Sequence, residues 1–183
     1  MKGGDPIYTR NTNTNILSEE GKTLSGYAIR WNNPSNLIRE SGREFTETIE
    51  RSAFDTSEAA DVVLFYNHMN DMPLARQKGG SLRLTNDPTG LHFEAALPDT
   101  SLSNDVQELL RKGILTGEMS FGFTSDDIRW SADKKSRTIN HGRLFEISLV
   151  INPAYPDTSS SLRNQTQSEI NNKREKLAKG NQL

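Results

Sequence analysis

Three residue types in this chain could act together as a nucleophile, a base and an acid that orients the base. The nucleophile candidate lies in Gly117-Glu118-Met119-Ser120-Phe121-Gly122-Phe123, where one small hydroxyl sits between bulky apolar residues with a glycine on either side. Glycine permits close backbone approach, so N–H groups around Ser120 and Gly122 could point at a carbonyl oxygen. The spacing is not that of the Gly-x-Ser-x-Gly nucleophile elbow. A serine bonded to neighbouring backbone inside a buried strand would carry the same signature.

The chain has 3 histidines. His68 follows the run Val62-Val63-Leu64-Phe65-Tyr66 and opens the polar stretch His68-Met69-Asn70-Asp71-Met72-Pro73, a place where a scaffold can present a base. A structural histidine capping the strand fits the position equally well. His92 lies within a strand pattern, and His141, beside Asn140 and Gly142 ahead of the strand expected from Arg143, reads as a loop residue. The acid candidate is Glu146, set in the otherwise apolar Leu144-Phe145-Glu146-Ile147-Ser148-Leu149-Val150. A carboxylate there is costly unless paired. Its partner could be Arg143 or Arg76, a structural role, or a histidine held in one tautomer. A serine needs a base within hydrogen-bond reach, and the base works better when a third group orients it. Ser120, His68 and Glu146 each have the type the other two require.

Other chemistries find little support. Asp126-Asp127 and the scattered histidines show no HExxH or paired-ligand spacing. Gly79-Gly80 is not followed by the Lys-Ser/Thr of a phosphate loop. With 0 cysteines there are no disulfides or thiolate sites. The expectation is therefore no metal and no cofactor.

Composition sets the frame for these residues. The 183 residues fit one domain with short tails, and a net charge of -2 lacks the basic surplus of a nucleic-acid binder. A protein or peptide partner is expected instead. No apolar run approaches the roughly 18 residues that a membrane helix needs, and Met1 to Arg10 lack a signal-peptide core. A soluble protein that stays in the cell that makes it is expected.

The elements that must position the candidates follow from pattern and turn chemistry. Residues 1–15 read as a flexible lead-in, Thr23 to Trp31 as a partly buried strand, and Phe45 to Ile49 as a short strand. Arg51 to Ala60 reads as a short helix. The continuous β-branched and aromatic run within Asp61 to His68 predicts a central strand buried on both faces. Ser81 to Leu84 and Leu91 to Leu97 flank the turn Asn86-Asp87-Pro88-Thr89-Gly90 and predict a hairpin. Asp105 to Lys112 predicts a helix capped by Ser103 or Asn104 and stopped by Gly113. Strands are expected at Gly117 to Thr124, Ile128 to Ser131 and Arg143 to Ile151. From Asn164 the chain turns polar, as a solvated helix or disorder. The expected fold is mainly β with flanking helices (α+β), a barrel or a sandwich with helices on its outside, with a domain over residues 16–163 and a tail over 164–183.

Taken in order, these segments resemble the tailed-phage prohead serine proteases. The resemblance rests on Asn67-His68 with Asp71 and Pro73-Leu74-Ala75-Arg76, on Gly117 to Phe123, and on Leu144 through Asn152-Pro153-Ala154-Tyr155. Gly26-Tyr27-Ala28, Phe45-Thr46-Glu47 and Ala53-Phe54 are similar too. The family's Pro-Leu-x-Arg stretch often has glycine where Ala75 stands, and its histidine is often followed at once by Asp, here Asp71 three residues on. The resemblance implies a fold like that of the herpesvirus assembly proteases, a β-barrel surrounded by short helices. It implies Ser120 as nucleophile, His68 as base and Glu146 as third member. His141 is the alternative third member, because the herpesvirus enzymes use a second histidine. Gly122 and Arg76 are candidates for holding the oxyanion.

The implied substrate is the scaffold segment of the major capsid protein, and the protease itself, cut within the prohead in the host cytoplasm. The polar tail could be a self-cleaved segment or a tether to scaffold, and self-association into a homo-oligomer is compatible with the pattern. No nucleic acid and no membrane are implied. A different class of function stays open: an inactive capsid-assembly or scaffolding module that binds coat protein without cutting it. An esterase is less well supported, since no apolar lid or elbow is visible.

Overall fold

In this computed structural model, residues 8–13, 15–17, 22–51, 53–57 and 60–151 are described. They form β1 (Tyr8–Asn13), β2 (Asn15–Leu17), β3 (Thr23–Arg30), β4 (Ile38–Glu40), β5 (Arg43–Ile49), β6 (Val63–Tyr66), β7 (Pro73–Arg76), β8 (Leu82–Asn86) and β9 (Gly90–Ala96). One helix, α1 (Ser101–Arg111), precedes β10 (Glu118–Trp130) and β11 (Ser136–Val150). The fold is mainly β, with a single α-helix among the described residues.

Two sheets carry the strands. One has 7 strands in the order β1-β10-β11-β5-β4, with β6 and β7 branching from β11; the other has 4 in the order β2-β3-β9-β8. They are not closed into one barrel, and among the described residues one α-helix stands where a surround of short helices was expected. Leu24, Ile29, Leu91 and Phe93 of the small sheet and Leu64, Met119, Phe121, Ile147 and Leu149 of the large one belong to one buried core. Phe54, Phe121 and Phe123 pack within it at centroid separations of 5.3–6.5 Å, Phe121 stacked on Phe123 and Phe54 at a steep angle to both.

Several elements differ from the sequence expectation, each for a physical reason. Among its described residues the stretch 51–60 is not α-helical; only Ala60 is in a 3₁₀ turn, its N–H on the Ser57 carbonyl at 3.0 Å. Phe54 instead bridges to Gly142, and the Gly142 N–H donates to the Ala53 carbonyl at 3.0 Å. Burying Phe54 against β10 outweighs local helix preference. Helix α1 begins four residues before the expected start, because Thr100 is the cap, its hydroxyl accepting from the Ser103 N–H. Gly113 follows the C-cap at φ +67, as its stop role requires. The two strands expected over 117–131 are one strand, β10, kept continuous through bulges near Phe123 and Asp127. Residues 8–13, part of the expected lead-in, pair along β10 as β1; an edge strand needs backbone partners and no apolar face. The tail 164–183 and the stretch Asn152 to Tyr155 lie outside the described residues.

Candidate active site

β10 and β11 run antiparallel with Glu118 facing Val150, Ser120 facing Ser148, and Gly122 facing Glu146. On the other side of β11, β6 runs parallel, setting Val63 beside Glu146 and Phe65 beside Ser148. Side chains alternate across a strand, so Ser120, Gly122, Glu146 and Ser148 share one face while Met119, Phe121, Ile147 and Leu149 fill the core on the other. From Glu146 to Leu149 the run thus divides by parity, and a carboxylate can occur there without entering the core; before it a bulge breaks the alternation, and Leu144 lies in the core.

His68 reaches this face through a backbone reversal. β6 ends at Tyr66, and the Asn67 N–H continues the ladder to the Leu149 carbonyl at 2.7 Å. Asn67 and His68 then both take left-handed conformations, with φ of 51 and 58. Asparagine tolerates that region; histidine there is uncommon and costs on the order of 1–2 kcal/mol. The turn is held by the Met69 N–H on the Tyr66 carbonyl and by the Tyr66 N–H on the Met72 carbonyl, both 3.0 Å.

The result is a contact of 2.7 Å between His68 Nδ1 and Glu146 Oε1, across 78 residues of sequence. An ionised carboxylate can only accept, so Nδ1 carries the proton, and in the neutral imidazole Nε2 presents a lone pair. His68 Nε2 and Ser120 Oγ are both buried, and neither has a hydrogen-bond partner among the described residues. Ser120 lies diagonal to Glu146 across the β10–β11 ladder, a separation of about 7–8 Å between backbones. One imidazole bonded at both nitrogens can bridge such a span.

Gly122 makes the pairing sterically possible. A Cβ on it would lie 2.7 Å from Glu146 Cγ and 2.8 Å from Oε1. Only a bare backbone leaves the carboxylate its place under the imidazole. This role is packing, and it is independent of any N–H that Gly122 could offer to substrate.

The remaining candidates sit elsewhere. Arg76 grips Asp61 with two hydrogen bonds, Nε to Oδ1 at 2.9 Å and Nη2 to Oδ2 at 2.6 Å, and holds that carboxyl below the usual range. Its guanidinium is engaged at the surface. His141 pairs with Asp126 at 2.6 Å, both largely exposed. It lies not in a loop but within β11, which starts at Ser136 rather than Arg143 because β10 pairs along its whole length, and it stands seven residues before Ser148, about 24 Å of strand contour from the residue opposite Ser120. The structure therefore joins His68 to Glu146 on the face that carries Ser120; Arg76 stands two strands from Glu146, beyond Val63 in the same row, with its guanidinium on Asp61, and His141 lies further along β11.

Sequence reasoning passed over two neighbours on this face. Ser148 faces Ser120, is fully buried, and its hydroxyl has no partner among the described residues. The two-residue period from Glu146 would have placed it there. Glu118 stands one pair further along, half-buried, and desolvation pushes its carboxyl above the usual range. Among the described residues, no group of three or more His, Asp or Glu could hold a metal ion.

The fold and site thus define a mainly β protein with a histidine–carboxylate pair set beside a buried serine. The chain belongs to the caudovirus prohead serine protease family, whose model matches residues 8–173, most of its length. That family places it among serine peptidases with a role in phage maturation. No curated protein and no solved structure matches the chain.

Proposed function

We propose that the chain is a serine endopeptidase in which Ser120 is the nucleophile, His68 the general base and Glu146 the orienting acid. The 2.7 Å bond from His68 Nδ1 to Glu146 Oε1 carries the reading, because it leaves Nε2 as a lone-pair base on the face of Ser120. His68 Nε2 takes the Ser120 proton as Oγ attacks the peptide carbonyl, and Glu146 stabilises the imidazolium so formed. The imidazolium returns that proton to the leaving amine, an acyl-enzyme remains, and water activated by the same imidazole releases the acid and regenerates the serine. The substrate is the scaffold segment of the major capsid protein, together with the protease's own chain, cut inside the prohead.

Co-expression with the phage's major capsid protein, wild type against Ser120→Ala, tests this by intact mass. Loss of a capsid fragment only with wild type is expected. Equal cleavage by both removes Ser120 from the mechanism. Intact mass of each chain expressed alone tests self-processing, and equal masses rule it out.

One observation favours a second reading. Ser120 is fully buried, as it would be in a capsid-binding module that does not cut. Uncleaved coat protein that co-purifies with the folded wild-type chain is the outcome that reading expects.

A further inference from the structure

The proposed nucleophile is closed off in this conformation. Ser120 has 0% exposure, although a peptide must reach its hydroxyl. The strand that carries it is also paired on both edges. β11 covers positions 118–123 of β10 on one side, and β1 covers the same positions on the other. Successive peptide groups of a strand point alternately to its two sides. Every N–H from 118 to 123 therefore faces a paired strand, those of Ser120 and Gly122 among them. The donors nearest the hydroxyl serve the sheet ladder and cannot at the same time hold an oxyanion.

The two covering strands are not equivalent. β11 is held on both of its own sides, by β10 and by β5 and β6. β1 is the end of the sheet order, paired with β10 alone, with Asn11 opposite Ser120 and Thr9 opposite Gly122. Its sequence, Tyr8-Thr9-Arg10-Asn11-Thr12-Asn13, has no aliphatic residue, and asparagine is disfavoured in strands. An edge strand of this kind opens at lower free energy than the core strands it lies on.

We infer that β1 is an inhibitory strap: the site is closed while β1 lies along β10 and becomes competent when β1 leaves that edge. Departure frees the outward N–H groups of β10 and opens the flank of Ser120. This deepens the protease reading and rests on Ser120 being the nucleophile.

The absence of native cysteine makes a clean lock possible. Asn13 and Glu118 are register partners, and facing residues of antiparallel strands lie about 4.5–5.5 Å apart, within disulfide range. The full chain carrying Asn13→Cys and Glu118→Cys is exposed to a fluorophosphonate probe, oxidised and reduced, and the Ser120 adduct is followed by peptide mass. The oxidised form is expected to label about 100-fold or more slowly than the reduced form, since the competent population is withdrawn.

Asn11→Pro and Thr12→Pro supply the opposite perturbation. Adjacent residues point to opposite edges, so one of the two removes a ladder donor, and that variant is expected to label about tenfold faster than wild type. Equal labelling of the oxidised and reduced forms, or no acceleration by either proline in a folded chain, overturns the strap and leaves the serine nucleophile standing. No Ser120 adduct in any variant removes the nucleophile, and the strap with it.

Discussion

Strand β11 bonds a carboxylate to a basic side chain near each end, and the two pairs are built differently. Near its start β11 runs parallel to β5, where Arg137 Nε donates to Glu47 Oε2 at 2.6 Å and Nη1 lies 3.3 Å from Glu40 Oε2. The guanidinium also lies over Phe45, 4.5 Å from the ring centroid, and near Trp130. Arg137 and Glu47 are 4% and 2% exposed, so the pair lies out of water. Near its end β11 runs parallel to β6, and Glu146 bonds His68. There the basic side chain is an imidazole, and its second nitrogen is buried with no partner among the described residues. Arginine stays charged and binds through a fixed fork, so the first pair can only hold strands together. The same strand therefore carries a clamp at one end and, at the other, the pair proposed to move a proton.

The largest effect that would separate the two is on chemistry. Glu146→Gln keeps the shape but loses the charge that fixes the His68 tautomer, and turnover of a capsid-derived peptide should fall by about 10³–10⁴-fold. Its melting temperature should change little. A variant that melts early yet turns over normally when folded would make the His68–Glu146 pair another clamp.

Next comes stability at the other end. Arg137→Met leaves Glu47 buried without its cation and should cost about 3–5 kcal/mol, roughly 10 °C in melting temperature. Rates per folded molecule should be preserved. Adding Glu47→Leu should recover much of the loss, and calorimetry of the double-mutant cycle measures the coupling. Additive losses would show that the buried pair is not what ties β11 to β5.

Gly122→Ala sharpens the contrast at smaller cost. The new methyl meets Glu146 and must displace the carboxylate from His68, so turnover should drop by about 10–100-fold, read as kcat with KM little changed. A loss confined to KM would place Gly122 in substrate binding instead. Smallest of all, His141→Ala removes an exposed pair on the same strand and should leave both cleavage and melting temperature unchanged. A loss of turnover there would return His141 to the mechanism.

Much of this was visible in the residues themselves. The hairpin around Asn86 to Gly90, a strand just before His68 and the helix before Gly113 appear near where turn chemistry and apolar pattern put them. But β6 is not buried on both faces: Leu64 is in the core while Val63, Phe65 and Tyr66 are half-buried, since β6 packs beside β11 at the branch of the sheet. Where the reading failed, a distant contact overrode a local preference. Ala53 and Phe54 sit in a stretch of acceptable helix formers, but burial beneath β10 and the bridge to Gly142 hold them extended. β10 reads as two strands because bulges break its alternation, and a bulge is stabilised by the neighbouring strand. β1 has no pattern at all, since what places it is an unfilled edge on another strand.

The site divides in the same way. The types and order of Ser120, His68 and Glu146 are properties of the sequence, as is the parity that sets Glu146 and Ser148 on one face away from the core. Tertiary structure alone decided that Glu146 pairs with His68 rather than with Arg76 or Arg143. That choice depends on strand register and on two left-handed residues turning back over β11. It also engaged Arg76 with Asp61, carried His141 to the far part of the strand, and laid β1 against the serine. Side-chain chemistry is local and can be read one residue at a time. Register and edge pairing are set by which distant backbone groups find one another, and no single segment records that.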